Sequence, residues 1–246
     1  MNELATRAAH RPDGREVLAD GKAAVLPALR AAVDRLPEQA RRIAGYHLGW
    51  HGGPGRAGKA IRPALTLLCA EAAGGSAVDA LPAAVAVELA HNFVLMHADV
   101  IDGAPTRRHR PAVWQAFDIG EALLTGSALQ ALAFDVLASS AESSEARTLA
   151  AALQDLPAPH GTGRPLENPA GALFECACVL GASAGGGSPR QVDELRLFGA
   201  RLGSLYRASD RQKAGYLLAE ALRRLPAGGP ATAGLEAMAR LIHHDN

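Results

Sequence analysis

The chain has 246 residues, of which 48% are hydrophobic, 20% charged and only 4% aromatic, and its 25 basic and 25 acidic residues give a formal net charge of zero. This length fits one domain, or two at most, with enough chain to bury a hydrophobic core. Balanced charge argues against a protein that binds nucleic acid or an anionic membrane through long-range electrostatics. Three cysteines are too few for a disulfide scaffold, and their odd number fits a reducing cytoplasm.

Alanine and leucine dominate the chain, whereas β-branched and aromatic residues are sparse, and this composition favours helices. No segment alternates as a strand does, and no hairpin dipeptide joins two such segments. We therefore predict an all-α protein, with one domain over residues 1–246 and a flexible arm over residues 1–15. Clusters of glycine and proline separate helix-length segments, which we place at 17–49, 60–73, 78–101, 112–118, 120–139, 143–156, 170–184, 190–208, 211–224 and 231–244.

One predicted helix carries an unusual set of polar residues. The stretch from Ala83 to Asp102 is mostly alanine, valine and leucine, yet it also contains four charged or titratable residues: Glu88, His91, Asp99 and Asp102. At 100° per residue, the four polar side chains fall within an arc of about 80°. Burying charged groups is costly unless something compensates them. The stripe is thus expected to face a polar cavity, a ligand or a set of partners; a solvated face is the alternative, and the apolar character of the other faces disfavours it. These charges also argue against a membrane span.

Basic residues flank this helix in the sequence. Lys59 and Arg62 lie at a helix start after a glycine-rich loop, and a basic run over 107–110 follows a turn of glycine and proline. Cations at a helix N-terminus are destabilised by the helix dipole unless they share a bound anion. The planar guanidinium of arginine suits phosphate as that anion. Asp99 and Asp102, three residues apart, can together hold Mg²⁺ beside phosphate oxygens. The residues therefore predict a diphosphate site built from Lys59, Arg62, His91, Arg107 or Arg108 and the two carboxylates.

Two stretches resemble a known family. GKAIRP at 58–63 and AVAVELAHNFVLMHADVIDGAPTRRHRPAVW at 84–114 resemble the trans-isoprenyl diphosphate synthase (polyprenyl synthetase) family. Weaker likenesses follow in EALLTGSALQALAFDVLA, GALFECACVLGASAGG and LFGARLGSLYRASD. The resemblance implies a helical bundle around a central cavity, usually a homodimer. It also implies magnesium-dependent condensation of isopentenyl diphosphate with an allylic prenyl diphosphate. The charged first twenty residues show no signal peptide and, with the cysteine count, predict a cytoplasmic protein without a transmembrane segment.

By position, the resemblance assigns roles to individual residues. The residues that match holders of isopentenyl diphosphate are Lys59, Arg62, His91 and Arg108. Arg107 matches an arginine that contacts the allylic diphosphate. Asp99 and Asp102 match two of three carboxylates in the first Asp-Asp-x-x-Asp motif, so these two and Arg107 are the implied catalytic residues. Asp210 is the only match to a metal-binding residue of the second motif.

The chain also departs from the family pattern. Ala98 stands where the first motif begins with aspartate, Pro169-Ala170-Gly171 replaces a Lys-Thr-Gly element, and the second motif reads SDRQK over 209–213. The stretches near 155–169 and after residue 210 are shorter than in ordinary members. Because ionising an allylic diphosphate requires its charge to be neutralised, these changes predict weakened catalysis.

Three hypotheses follow from this pattern. The first is a magnesium-dependent synthase, and the second is a non-catalytic prenyl-diphosphate-binding or regulatory subunit of the same fold, paired with itself or with a catalytic homologue. The third is an interaction protein without a ligand, which the clustered cations disfavour because they would only destabilise the fold.

Overall fold

The computed structural model describes residues 12–50, 58–139, 143–154 and 169–245. Within these ranges the chain forms eleven helices and one two-stranded hairpin, which confirms the all-α prediction. The elements are α1 Gly14–Val33, α2 Glu38–Leu48, α3 Ile61–Ala73, α4 Leu81–Ile101, β1 Thr106–Arg107, β2 Arg110–Pro111, α5 Val113–Ala116, α6 Ile119–Ala138, α7 Ser143–Gln154, α8 Pro169–Ala184, α9 Pro189–Leu205, α10 Arg211–Leu222 and α11 Pro230–His244.

The prediction of one helix over 17–49 is wrong, because two helices occupy this stretch. α1 ends at Val33, and α2 begins after Pro37, whose ring fixes φ near the observed −53° and lacks the N–H that a continuing helix needs. α1 itself begins at Gly14 with the Asp13 side chain accepting a hydrogen bond from the Arg15 amide. Most of the flexible arm predicted over residues 1–15 lies outside the described residues.

One short hairpin lies where the sequence shows no strand alternation and no hairpin dipeptide. Thr106 and Arg107 pair antiparallel with Pro111 and Arg110, so only two residues form the turn. These are Arg108 and His109, with φ of 51° and 60°. Such a turn is normally formed by glycine or asparagine, because other residues are strained at positive φ. Arg108-His109 therefore could not be identified as a hairpin turn from the sequence.

α4 is the central helix of the bundle. Its buried apolar residues belong to the larger hydrophobic cluster together with residues of α1, α2, α6 and α8. By length and composition alone, α4 and α6 are each able to cross a membrane, but 56% of the apolar window of α4 is buried inside the protein. Glu88 and Asp99 of α4 are buried as well, at 6% and 2% exposed. The packed bundle therefore accounts for the apolar length of α4.

α3 and α8 approach each other through glycine. A Cβ atom placed on Gly181 would lie 2.1 Å from the Thr66 carbonyl oxygen, and one on Gly185 would lie 2.3 Å from the Ala70 carbonyl oxygen. Both contacts are with backbone, which cannot rotate away as a side chain can. The two helices therefore meet backbone to backbone on residues four apart on each.

Gly181→Ala tests this packing. Because the added methyl group would overlap backbone, we expect the free energy of unfolding to fall by roughly 3 kcal/mol in urea titrations. Gly215→Ala is the matched control, since nothing lies within 4 Å of a Cβ at that position of α10. This control is expected to gain up to about 1 kcal/mol from its lower unfolded-state entropy. Equal stability of the Gly181→Ala protein and the natural chain would contradict the close approach.

Candidate functional site

Apart from Asp210, the sequence-predicted site residues lie around the first turn of α3, the second half of α4 and the hairpin that follows α4. α3 begins after Ala60, which has a left-handed backbone with φ of 54° and ψ of 38°. This turn separates Lys59, which is exposed, from Arg62, which is buried at 7% exposure. Two cations that are close in the sequence therefore have different surroundings.

Arg62 carries its guanidinium into the protein interior. Its Nη1 atom lies 3.1 Å from Nε2 of His91 on α4, and its central carbon lies 4.5 Å from the ring centre of Phe174 on α8. Burial lowers the pKa of Arg62 to about 10, opposed by the negative charge of Glu88. At neutral pH the group is thus still a cation, held by an aromatic face and a histidine.

His91 is a neutral ring at neutral pH. Burial, followed by the charges of Arg62 and Arg108, lowers the pKa of His91 well below its ordinary value. Since a guanidinium can only donate hydrogen bonds, His91 accepts through Nε2 and keeps its proton on Nδ1. The histidine therefore orients Arg62 and offers one N–H donor without adding charge.

A second layer of buried polar groups supports this pair. Asn92 donates through Nδ2 to the carbonyl oxygen of Glu88 at 2.8 Å and to its Oε1 at 3.0 Å. Burial raises the pKa of Glu88, and the Asn92 hydrogen bond and the Arg62 charge oppose the shift. His47 is buried nearby, where desolvation and then the charges of Arg108 and the two other hairpin arginines lower its pKa to about 3.

Three buried atoms of this region have no hydrogen-bond partner: His47 Nε2, Arg62 Nε and Asn92 Oδ1. An unsatisfied buried polar atom costs about 1–3 kcal/mol, so such atoms are rare in a packed core. The Asn92 side chain is close enough to His47 to oppose the lowering of the His47 pKa, so two of the three atoms belong to neighbouring groups. Arg62 Nε belongs to the guanidinium that contacts His91.

The hairpin holds two more arginines against α2. Arg108 donates through Nη1 to the His47 carbonyl oxygen at 3.5 Å, and Arg110 donates to the same oxygen at 2.8 Å while its guanidinium lies 4.4 Å from the Tyr46 ring centre. A Cβ on Gly58 would lie 2.7 Å from Arg108 Nη2. Glycine at this position therefore leaves the space that the Arg108 side chain fills.

Arg107 has a different partner. Its Nε and Nη2 atoms donate to Oδ2 and Oδ1 of Asp99 at 2.6 and 2.5 Å. The Asp99 carboxylate is only 2% exposed and both of its oxygens are satisfied, whereas the Arg107 side chain is 29% exposed. The structure thus pairs one predicted metal ligand with the arginine predicted to contact the allylic diphosphate.

The three predicted metal-binding carboxylates do not form one site. Asp102 is exposed at the C-cap of α4, and Asp210 is the N-cap of α10, where its Oδ1 accepts from the Lys213 amide at 2.6 Å. Across the described ranges, no three residues among His, Cys, Asp and Glu are grouped so that they could hold a metal ion. With Asp99 paired to Arg107, this donor set does not fit a resident magnesium ion.

The structure therefore joins some predicted site residues and separates others. Arg62 contacts His91, Arg107 contacts Asp99, and Lys59 is paired with Asp245 of α11 at 2.8 Å. His47 and Asp245 were missed because no motif includes them. Asn92 could have been found, since it follows Glu88 by four residues on one helix and such pairs face each other.

Known proteins share both the sequence and the fold. Residues 54–157 match the polyprenyl synthetase family. The geranylgeranyl diphosphate synthase of Mycobacterium tuberculosis is 36% identical over 221 residues, which is 80% of this chain. A crystal structure of a polyprenyl synthetase from Streptomyces coelicolor A3(2) superposes with a TM-score of 0.80 at 27% identity, covering 94% of this chain and 99% of that one. The chain belongs to the polyprenyl synthetase family.

Family members generally depend on magnesium and act on isoprenoid diphosphates. A (2E,6E)-farnesyl diphosphate synthase of Mycobacterium bovis is 48% identical over 118 residues, or 46% of this chain. This chain spans 63% of the length of the M. tuberculosis relative and 33% of the M. bovis relative.

Pro169, where the sequence resemblance leads one to expect a lysine, begins α8. Residues 155–168, which were predicted to be shortened, lie outside the described residues.

The buried histidines predict a pH dependence of stability. His47 has an ordinary pKa of 6.5 unfolded and about 3 folded, so below pH 6.5 the unfolded chain binds a proton that the folded chain does not. The His47 contribution to stability is then lost as the pH falls. It amounts to about 2 kcal/mol between pH 8 and pH 5. Asparagine does not titrate, so between pH 8 and pH 5 the free energy of unfolding of His47→Asn is expected to fall by about 2 kcal/mol less than that of the natural chain.

Urea titrations of both proteins at pH 8 and pH 5 measure this difference. Glu88 acts in the opposite direction, because its raised pKa favours the folded state as the pH falls, and His91 acts in the same direction as His47. Both groups are present in both proteins, so their effects cancel in the comparison. Parallel losses would show that His47 is not buried as a neutral ring.

Proposed function

We propose that this chain binds isopentenyl diphosphate in the cationic site formed by Arg62, His91 and Arg108, with Lys59 at its edge. The observation that carries the proposal is the buried guanidinium of Arg62. No carboxylate of the described residues lies within 4.0 Å of the guanidinium nitrogens of Arg62 or Arg108. Buried cations without a paired anion are costly, and a diphosphate would supply the missing negative charge.

The chemistry of the donors fits a diphosphate. Two guanidiniums offer planar N–H pairs that match phosphate oxygens, and the neutral His91 adds a single N–H through Nδ1. Arg107 is already neutralised by Asp99, whereas Arg108 has no carboxylate of the described residues within 4.0 Å, so the charge of Arg108 is available to a ligand. This division favours binding of isopentenyl diphosphate over ionisation of an allylic diphosphate.

Arg108→Gln tests the binding function. A hydrogen bond to a charged group contributes about 1.5–3 kcal/mol, so the variant is expected to bind isopentenyl diphosphate about 10- to 100-fold more weakly in isothermal titration calorimetry. Arg190→Gln is the matched control, since Arg190 is exposed at the start of α9. This helix follows the contact between Gly185 and Ala70, which lies at the opposite end of α3 from Arg62. Equal affinities of the two variants, with unchanged melting temperatures, would contradict the site.

Condensation with an allylic prenyl diphosphate is the second candidate function. It is supported by the two mycobacterial relatives, which are described as geranylgeranyl and farnesyl diphosphate synthases. Against it stand Ala98 in place of an aspartate and the closed Arg107–Asp99 pair. Catalysis of this kind depends on fixed charge at the departing diphosphate, and a neutralised arginine supplies little.

A condensation assay read by mass spectrometry separates the two candidates. Isopentenyl diphosphate is offered with dimethylallyl, geranyl, farnesyl or geranylgeranyl diphosphate, with and without magnesium, to the natural chain and to Ala98→Asp. Because the electrostatic requirements are not met, we expect no product from the natural chain. Product from the natural chain would instead establish the second candidate and identify the chain length that it makes.

We further propose that the chain forms a homodimer through α6. The face of this helix carries exposed apolar side chains, with Leu124 72%, Ile119 52% and Leu123 36% exposed. Apolar groups clustered on one face are typical of a surface that a partner covers. Light scattering is expected to give twice the chain mass for the natural protein and a single chain mass for Leu124→Glu. Tyr216→Glu is the control, because it alters an exposed residue of α10 instead, and it is expected to stay dimeric. A monomer that dimerises only with a catalytic homologue would favour the heterodimer.

A further inference from the structure

Lys59 has a carboxylate partner from the far end of the chain. Its Nζ atom lies 2.8 Å from Oδ2 of Asp245, at the C-cap of α11. The Lys59 ammonium lowers the pKa of Asp245, so the carboxylate is charged at neutral pH. Arg15 of α1 lies 3.9 Å from its other oxygen, so Asp245 has a second cation if Lys59 turns away.

α11 is held firmly where it presents this carboxylate. A Cβ on Gly14 of α1 would lie 2.6 Å from the Ala237 carbonyl oxygen and 2.9 Å from Leu241 Cβ, so α1 and α11 touch through backbone. A Cβ on Gly234 would lie 2.9 Å from a methyl carbon of Leu68 on α3. The position of Asp245 is therefore set by packing along the length of α11.

The ion pair is nevertheless free to open. A cavity of about 230 Å³ adjoins it, lined by Leu18, Ile61, Tyr206, Met238, Leu241, Ile242 and the pair itself. The Lys59 side chain is 61% exposed. Lys59 can therefore turn away from Asp245 without any movement of the packed helices.

We propose that Asp245 is a built-in competitor for Lys59 that sets the affinity of this chain for diphosphates. The proposal rests on the proposed binding function. A carboxylate and a diphosphate seek the same ammonium group, so a ligand must break the 2.8 Å pair before Lys59 can bind it. The remaining negative charge of Asp245 also repels the ligand. Asp245 therefore weakens binding, although it is remote from the motif residues in the sequence.

The test compares binding of isopentenyl diphosphate and of inorganic pyrophosphate by isothermal titration calorimetry. Because exposed ion pairs are worth little individually, we expect Asp245→Asn to bind both probes about 3- to 10-fold more tightly than the natural chain. Glu236→Gln is the matched control, since it removes a carboxylate from the same helix that is paired with Arg240 instead. This control is expected to leave both affinities unchanged.

A second background shows whether the gain depends on Lys59. In Lys59→Met protein, Asp245→Asn is expected to change the affinity less than two-fold, because the competition no longer exists. Hydrogen exchange gives an independent readout, in which saturating isopentenyl diphosphate speeds exchange at 241–245 of the natural chain and not of Lys59→Met.

Each outcome decides one point. Unchanged or weaker binding by Asp245→Asn overturns the proposal and leaves the binding function standing, as does an equal gain in the Lys59→Met background. Binding by Asp245→Asn but not by the natural chain supports the proposal in its strongest form. Absence of binding by every variant overturns the binding function itself.

Discussion

Arg62 carries a positive charge into the interior of an apolar bundle, and its neighbours are arranged around that charge. Phe174 of α8 offers the face of its ring, and His91 of α4 accepts a hydrogen bond. Glu88, on the same helix as His91, opposes the lowering of the Arg62 pKa by burial. Three helices thus contribute to one buried cation, and this region contains the three unsatisfied buried atoms.

Two adjacent arginines of the hairpin have different partners. Arg107 turns to α4 and closes on Asp99, whereas Arg108 turns to α2 and reaches the His47 carbonyl oxygen. Arg107 ends the first strand of the hairpin, whereas Arg108 lies in the turn, where it and His109 have positive φ. Arg107 is therefore neutralised by a buried carboxylate, while Arg108 has no carboxylate of the described residues within 4.0 Å. The proposed diphosphate site depends on this difference.

Much of the architecture could be predicted from the sequence, because glycine and proline clusters mark the helix ends. The exception is instructive: Pro27 lies within α1, whereas Pro37 precedes α2, and only tertiary packing decides which proline interrupts a helix. The motif residues Arg62 and His91 were identified from the sequence. The Lys59–Asp245 pair was not, because it joins residues 186 positions apart and neither type nor spacing signals such a contact.

The glycine contact between α3 and α8 also constrains how this protein can respond to a ligand. With no layer of side chains between Thr66 and Gly181, the two helices cannot slide or rotate against each other without a backbone collision. The backbones that carry Arg62 and Phe174, one on each helix, are therefore held at a close separation. Movement is therefore expected in the hairpin, where Arg108 and His109 have positive φ, and in the exposed side chain of Lys59. Arg62, at the contact between the two helices, keeps its position.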